Sequence, residues 1–394
     1  MSDNQMKILQ RLEAGEITAE EALAMMSQYS GPTPAPTGQN QRQQDSRQAS
    51  QHNNAHNRSH ESYDPYDEGS WIDGIVGWVG EVIEGISNSV SDMDVSFSLS
   101  DIFSGSHKRT EDFTSQPLTQ GLAQLELSGK NDKIEIYAHD GDCVQIRCDY
   151  DARHPDSYVQ FSDGNGQVAL WYDDKAMRSV KVLCYVPRVK IGHIHAVNKN
   201  GRIRVADVVA GEISLHSKND KINLESVTCH SLTAITQNDN IKAVAVTGEN
   251  IYLETTNSKI TAEDIHAASL ILKTTNAGIK TDSIDAANLV MNTTNSSLKL
   301  EDTLMNTSEF WESERTIEAY TTNDSIKLSV PGGIGLNIEA NTTSGKAVSE
   351  IPLYKTESSS KSRLVGESVD YATAGRRLRV RLGTTNSSVK IFAV

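Results

Sequence analysis

The chain has 394 residues, of which 37% are hydrophobic and 23% charged, and it carries a formal net charge of -15. An acidic balance works against general nucleic-acid binding and against polybasic docking on anionic lipid, so no nucleic-acid partner is expected. The composition is polar for a compact globule, and a polar linker beside a solenoid with a narrow core accounts for it.

Cys143, Cys148, Cys184 and Cys229 form no CxxC pair and no metal-ligand spacing. They read as buried free thiols, which fits a reducing compartment. The first residues lack a basic segment followed by an apolar one, and no stretch reaches about 18 uninterrupted apolar residues. The expected location is therefore cytoplasmic, with peripheral contact at the membrane or cell envelope left open by the helices described next.

Residues 1–28 read as a helical hairpin. Met6, Leu9, Leu12 and Ile17 give one apolar stripe, Gly15 a C-cap, and Thr18 with Glu21 a capping box. Ala22, Leu23, Met25 and Met26 give the second stripe. So small a unit must dock on something, either its own kind or a protein partner. Residues 29–70 form a Gln/Asn/Ser/His/Pro-rich segment that cannot bury enough apolar area to order itself, and read as a linker. In residues 71–90, Trp71, Ile75, Trp78, Val79 and Val82 recur at helical spacing, predicting an amphipathic docking helix. Its charges (Asp73, Glu81 and Glu84) are all acidic, which favours protein over a membrane surface as its partner.

The repeat that decides the fold class follows. Asn200, Asn219, Asn238, Asn257, Asn276 and Asn295 recur every 19 residues, and three residues after each comes Ile203, Ile222, Ile241, Ile260, Ile279 or Leu298. A fixed period of this size marks a solenoid. Within each copy the alternation has period two, as in Leu270-x-Leu272, so the elements are strands. The expectation is an all-β solenoid of 19-residue coils over 118–394, each coil giving about two short strands and two bends. Asparagine tolerates left-handed backbone, and its amide can reach local backbone or the Asn one coil away; the six are read as a structural turn ladder. Phe310 and Trp311 lie in an insertion, and the stretch 349–375 reads as a loop or cap.

No motif for a nucleophile, phosphate loop or zinc protease is present. His193 and His195 share one side of a strand but lack a third ligand, and Asp140, Asp142, Asp149, Asp151 and Asp156 read as solvated turn residues. No catalytic, cofactor or metal residue is assigned, and no cofactor is expected.

Three segments carry resemblances. Thr255-Thr256-Asn257-Ser258-Lys259-Ile260 and the closing stretch Arg377-Leu378-Arg379-Val380 … Thr384-Thr385-Asn386-Ser387-Ser388-Val389-Lys390-Ile391 resemble a bacterial putative adhesin β-repeat family. The segment ILQRLEAGEITAEEALAMM resembles the N-terminal domain of envelope-stress-associated proteins. The resemblance implies a non-enzymatic binding or scaffold protein of the cell envelope or its stress response, with a partner or self-association through the N-terminal helices. A surface adhesin or structural protein is the alternative, and a polysaccharide-acting enzyme a distant third.

Overall fold

The structure is a computed structural model that describes residues 106–118, 121–188, 191–301, 314–359 and 361–393. All belong to the unit Met93–Val394. The expected hairpin (1–28), linker (29–70) and docking helix (71–90, with Trp71, Ile75, Trp78, Val79 and Val82) lie outside the described residues.

Every described element is a strand. In chain order they are β1 (His107–Thr114), β2 (Leu122–Gly129), β3 (Asn131–His139), β4 (Gln145–Ala152), β5 (Gln160–Gly164), β6 (Gln167–Trp171), β7 (Met177–Pro187), β8 (Ile191–Asn198), β9 (Ile203–Ala206), β10 (Val209–Ser217), β11 (Ile222–Thr236) and β12 (Ile241–Thr255). Then follow β13 (Ile260–Lys273), β14 (Ile279–Asn292), β15 (Leu298–Glu301), β16 (Arg315–Tyr320), β17 (Ile326–Val330), β18 (Gly335–Thr342), β19 (Ala347–Ser349), β20 (Lys355–Ser359), β21 (Arg363–Glu367), β22 (Arg377–Thr384) and β23 (Val389–Ala393).

The middle coils stack in parallel with no slip: Ile222 pairs with Ile241, Ile241 with Ile260, and Ile260 with Ile279. Stacked strands repeat at about 4.8 Å, so a 19-residue period puts like residue on like. Ile222 and Leu224 on one side of the coil, Val227 at its narrow corner, and Leu232 and Ala234 on the other side all point inward and are buried. Burying each such aliphatic side chain contributes about 1.5–3 kcal/mol, and the solenoid sums these into one continuous core.

β11 through β14 are not pairs of short strands; each runs unbroken for 14 or 15 residues around the coil. The bend is made by one left-handed residue per coil, Asp207, Ser226, Ala245, Asp264 and Ser283, with φ between 52° and 60°. One such residue turns the chain while the flanking ladder hydrogen bonds persist. Asp and Ser suit it better than Ala245, which has no side-chain oxygen to compensate locally.

The two ends depart from simple winding. β2 lies between β6 and β8, and β3 between β7 and β9. The chain's first coil is thus second in the stack. The C-terminal end repeats the arrangement: β22 lies between β16 and β18, and β23 between β17 and β19. The last coil in sequence is slotted inside the coil that precedes it.

Antiparallel strands then cover the ends. β4 pairs with β7, β1 with β4, and β5 with β6, while β21 pairs with β18 and β20 with β21. The stretch read as a loop or cap is therefore in part a hairpin. β1 reads HKRTEDFT, and its charges blunt an otherwise open edge.

Candidate functional site

Three features of the coil carry the chemistry available among the described residues: its turn edge, its two broad outer faces, and one buried ionic cluster where β14 meets β16.

Along the turn edge, Asn219 donates its amide to Asn200 (2.5 Å), Asn238 to Asn219 (2.6 Å), Asn257 to Asn238 (2.7 Å), Asn276 to Asn257 (2.7 Å) and Asn295 to Asn276 (2.8 Å). The ladder extends past the six residues named from the period. Asn200 donates to Asn131, Asn323 to Asn295 and Asn386 to Asn323. The side chains are exposed, and each amide gives one N–H and one oxygen lone pair to its neighbours in the ladder.

A second ladder lies one step inward, and the sequence reading gave it no role. From Asn200 onward the residue two before each ladder Asn is buried and polar: Asn198, Ser217, Thr236, Thr255, Thr274, Thr293, Thr321 and Thr384. Thr255 donates its hydroxyl to the Asp239 carbonyl (3.0 Å), Thr274 to Ser258 (2.9 Å) and Thr293 to Ala277 (2.8 Å). Each hydroxyl ties the end of a coil to its own opening turn. The recurrence of hydroxyl residues at one repeat position was the signal available for it.

The first outer face runs over β9, the opening halves of β11–β14, β15, β17 and β23, and as far as β15 it sets basic side chains beside carboxylates. Arg204 pairs with Glu225 (2.7 Å), Lys242 with Glu263 (3.8 Å) and Lys280 with Glu301 (2.9 Å), and Lys299 also pairs with Glu301. These pairs are solvent-facing and contribute little to stability individually.

The second face, on β8, β10 and the closing halves of β11–β14, is largely uncharged at its centre. In the register that stacks Thr233, Tyr252, Ile271 and Val290, the middle coils show no ionised group. Toward the N-terminal end lie the histidines of the HIH triplet. His193 meets Glu212 at 3.1 Å. His195 packs on His216 with ring centroids 5.7 Å apart, and Ser214 lies 3.0 Å from the His216 Nε2. Burial lowers the pKa of both stacked imidazoles, that of His216 to about 4, with His195 adding to the effect. They are neutral at pH 7.

The ionic cluster centres on Asp285, buried at the corner of β14 and paired with Arg315 at the head of β16. His266 reaches Asp285 at 3.5 Å and Asp264 at 3.4 Å. The cluster holds an acid, a guanidinium and an imidazole but no nucleophile placed against a base.

The aspartates read as turn residues divide. Asp140, Asp142 and Asp156 are in turns, whereas Asp149 and Asp151 belong to β4. Asp149 accepts from Thr110 (2.8 Å) and pairs with Lys181, and Asp151 accepts from Ser106 (2.9 Å). They bind the edge strand β1 and its flank to the sheet. All four cysteines are free thiols; Cys148, Cys184 and Cys229 are buried, and burial raises their pKa, that of Cys229 to about 11.

Among the described residues no group of three His, Cys, Asp or Glu could hold a metal ion, and no helix is long and apolar enough to cross a membrane; this says nothing of a β-barrel.

A putative cell adhesion protein from Clostridium sporogenes aligns at 8% identity over 73% of this chain and 100% of that one, with a TM-score of 0.25. A putative adhesin from Bacteroides fragilis aligns at 10% identity over 73% and 97%, with a TM-score of 0.33. One from Parabacteroides distasonis aligns at 10% over 73% and 97%, with a TM-score of 0.28. No curated protein matches the chain. The family model described as Toastrack DUF4097 matches residues 123–374, which span the interleaved first coil, the regular stack and the terminal hairpin, and the chain belongs to that family.

Proposed function

We propose that the protein is a non-catalytic binding protein of adhesin type, which presents the outer faces of its solenoid to a partner at the cell surface or envelope. The observation that carries this reading is the division of labour around the coil. Backbone, turn amides and Thr hydroxyls are engaged in holding coils together, while two broad faces project side chains in strict register with no structural task. Regular, extended faces of this kind are what repeat proteins use for contact. The solved structures named as adhesins agree with it in kind.

The N-terminal hairpin sequence favours a second reading, a scaffold in the envelope stress response held at the membrane or assembled through residues 1–28 and 71–90. Labelling of intact cells with an impermeant reagent, beside fractionated extracts, separates the two. Labelling of Lys242 or Lys299 in intact cells supports the adhesin reading. Labelling only after lysis, with the protein in the cytoplasmic or inner-membrane fraction, overturns it in favour of the scaffold.

A further inference from the structure

The first outer face changes character at its C-terminal end. One column runs in register through Lys242, Thr261, Lys280, Lys299, Lys327 and Lys390. The column beside it, two residues further along each strand, supplies Glu263, Asp282 and Glu301, which neutralise the lysines as far as Lys299. Beyond Glu301 two strands follow without an acid in this column, and it resumes at Glu350, whose amide donates to the Ile391 carbonyl (2.9 Å). Ser329 and Phe392, themselves register partners, occupy the positions where acids would continue. Lys327 and Lys390 are nevertheless retained, exposed and directly paired. Lys346, also exposed, leads into β19 and accepts the Val389 amide on its carbonyl (2.9 Å), which sets it diagonal to Lys390. Among the described residues no carboxylate forms an ion pair with Lys327, Lys346 or Lys390.

Like charges directly opposite on neighbouring strands repel, and where Lys280 and Lys299 oppose each other on this face Glu301 pairs with both. The local balance agrees: residues 314–393 contain eleven Lys and Arg against eight Asp and Glu, net +3, on a chain of net -15. Lysine is a point-charge donor suited to phosphate, and Ser325, Ser329 and Ser388 add hydroxyl donors on the same outer surface. Phe392 and Val348, the latter 44% exposed, give the strip an apolar margin.

We propose that Lys327, Lys390 and Lys346 form a binding strip for a linear phosphate polymer lying along the solenoid axis. Lys327 and Lys390 lie about 4.8 Å apart on neighbouring strands with Lys346 set diagonally, a spread of charge that favours a chain over a single anion, because one polymer meets several lysines at once. The proposal rests on the reading of the solenoid faces as contact surfaces, and names the ligand class of one of them.

The test uses the full chain and fluorescently end-labelled, long-chain inorganic polyphosphate, followed by anisotropy at several salt concentrations. Binding that weakens steeply with salt is expected, with inorganic orthophosphate failing to compete at equal phosphate concentration. The Lys327→Gln/Lys346→Gln/Lys390→Gln variant should lose at least tenfold in affinity with a shallower salt dependence, while Lys280→Gln, at an already paired site, should lose less than twofold. An unchanged melting temperature of the triple variant separates lost binding from lost fold. No binding by the parent, equal loss in Lys280→Gln, or equal binding of poly-glutamate of matched charge overturns the assignment. Such a failure leaves the adhesin reading standing, since that is decided by surface labelling.

Discussion

Asn386 donates its side-chain amide to Asn323 at 2.7 Å although 63 residues separate them, whereas their counterparts in the regular coils are 19 apart. The same bond is made at both spacings because the stack reads position, not chain order. The final coil supplies the residue the preceding coil needs, and the intervening stretch, including β18 through β21, is pushed outward to become the end of the solenoid. A terminal strand in an open stack can fray and offers a template for pairing with other chains. Here β22 and β23 are hydrogen-bonded on both sides, and beyond β22 the outer strand β18 is itself covered by antiparallel β21.

The two ladders should differ in their contribution. Asn257 is exposed, so water replaces its partners, and Asn257→Ala should cost about 1 kcal/mol. Thr255→Val leaves the Asp239 carbonyl without its partner in a buried setting and should cost about 2 kcal/mol. Denaturant unfolding of the two variants would show this order; the reverse order would mean that the exposed ladder holds the turns.

The Asp285–Arg315 pair joins the last regular coil to the strand that resumes after the insertion. Removing one partner strands a buried charge, so Asp285→Leu or Arg315→Met alone should destabilise by about 3–5 kcal/mol. The double replacement should recover most of that loss. A double-mutant cycle in chemical denaturation measures it.

Thr281 occupies an inward position that Ala243 and Ala262 fill in the two preceding coils. Its hydroxyl is buried without a hydrogen-bond partner. Thr281→Val keeps the shape and removes the unmet polar group, so the variant should be more stable by about 1–2 kcal/mol. A raised melting temperature checks it.

His216 is held neutral by burial, with a folded pKa of about 4 against 6.5 for the free side chain. The unfolded chain therefore binds a proton that the folded chain refuses. Stability is full above about pH 6.5 and falls as pH drops toward 4, by about 3 kcal/mol from this residue. Glu126, whose pKa is raised by burial, acts in the opposite sense, so the difference from His216→Phe isolates the imidazole. That variant should lose the part of the acid-side decline that His216 contributes.

Legibility in the sequence followed the strength of repetition. Where every coil repeats at 19 residues, as from Asn200 to Leu298, strand character, inward positions and turn edge could be read from spacing alone. The Thr ladder uses the same period but hides within TTN as ordinary polar residues, because a buried hydroxyl and an exposed one look alike in sequence. β1 was missed because its apolar content is one residue, Phe113; its pairing comes from β4 and side chains such as Asp149. The slotting of the terminal coils left no local mark. The closing motif around Asn386 announces a coil but not its neighbours, which are chosen by the geometry of the whole stack.

That coil order is the claim on which the rest depends, and cross-linking tests it. In a Cys143→Ser background, Lys327→Cys with Lys390→Cys places thiols on register partners, about 4.8 Å apart at Cα and within disulfide reach. Lys327→Cys with Val348→Cys places them two coils apart, about 9.6 Å, because the final coil lies between. Under mild oxidation the first pair should form an intramolecular disulfide and the second should not. A disulfide in the second pair and none in the first would mean that the coils stack in simple chain order, and would contradict the account.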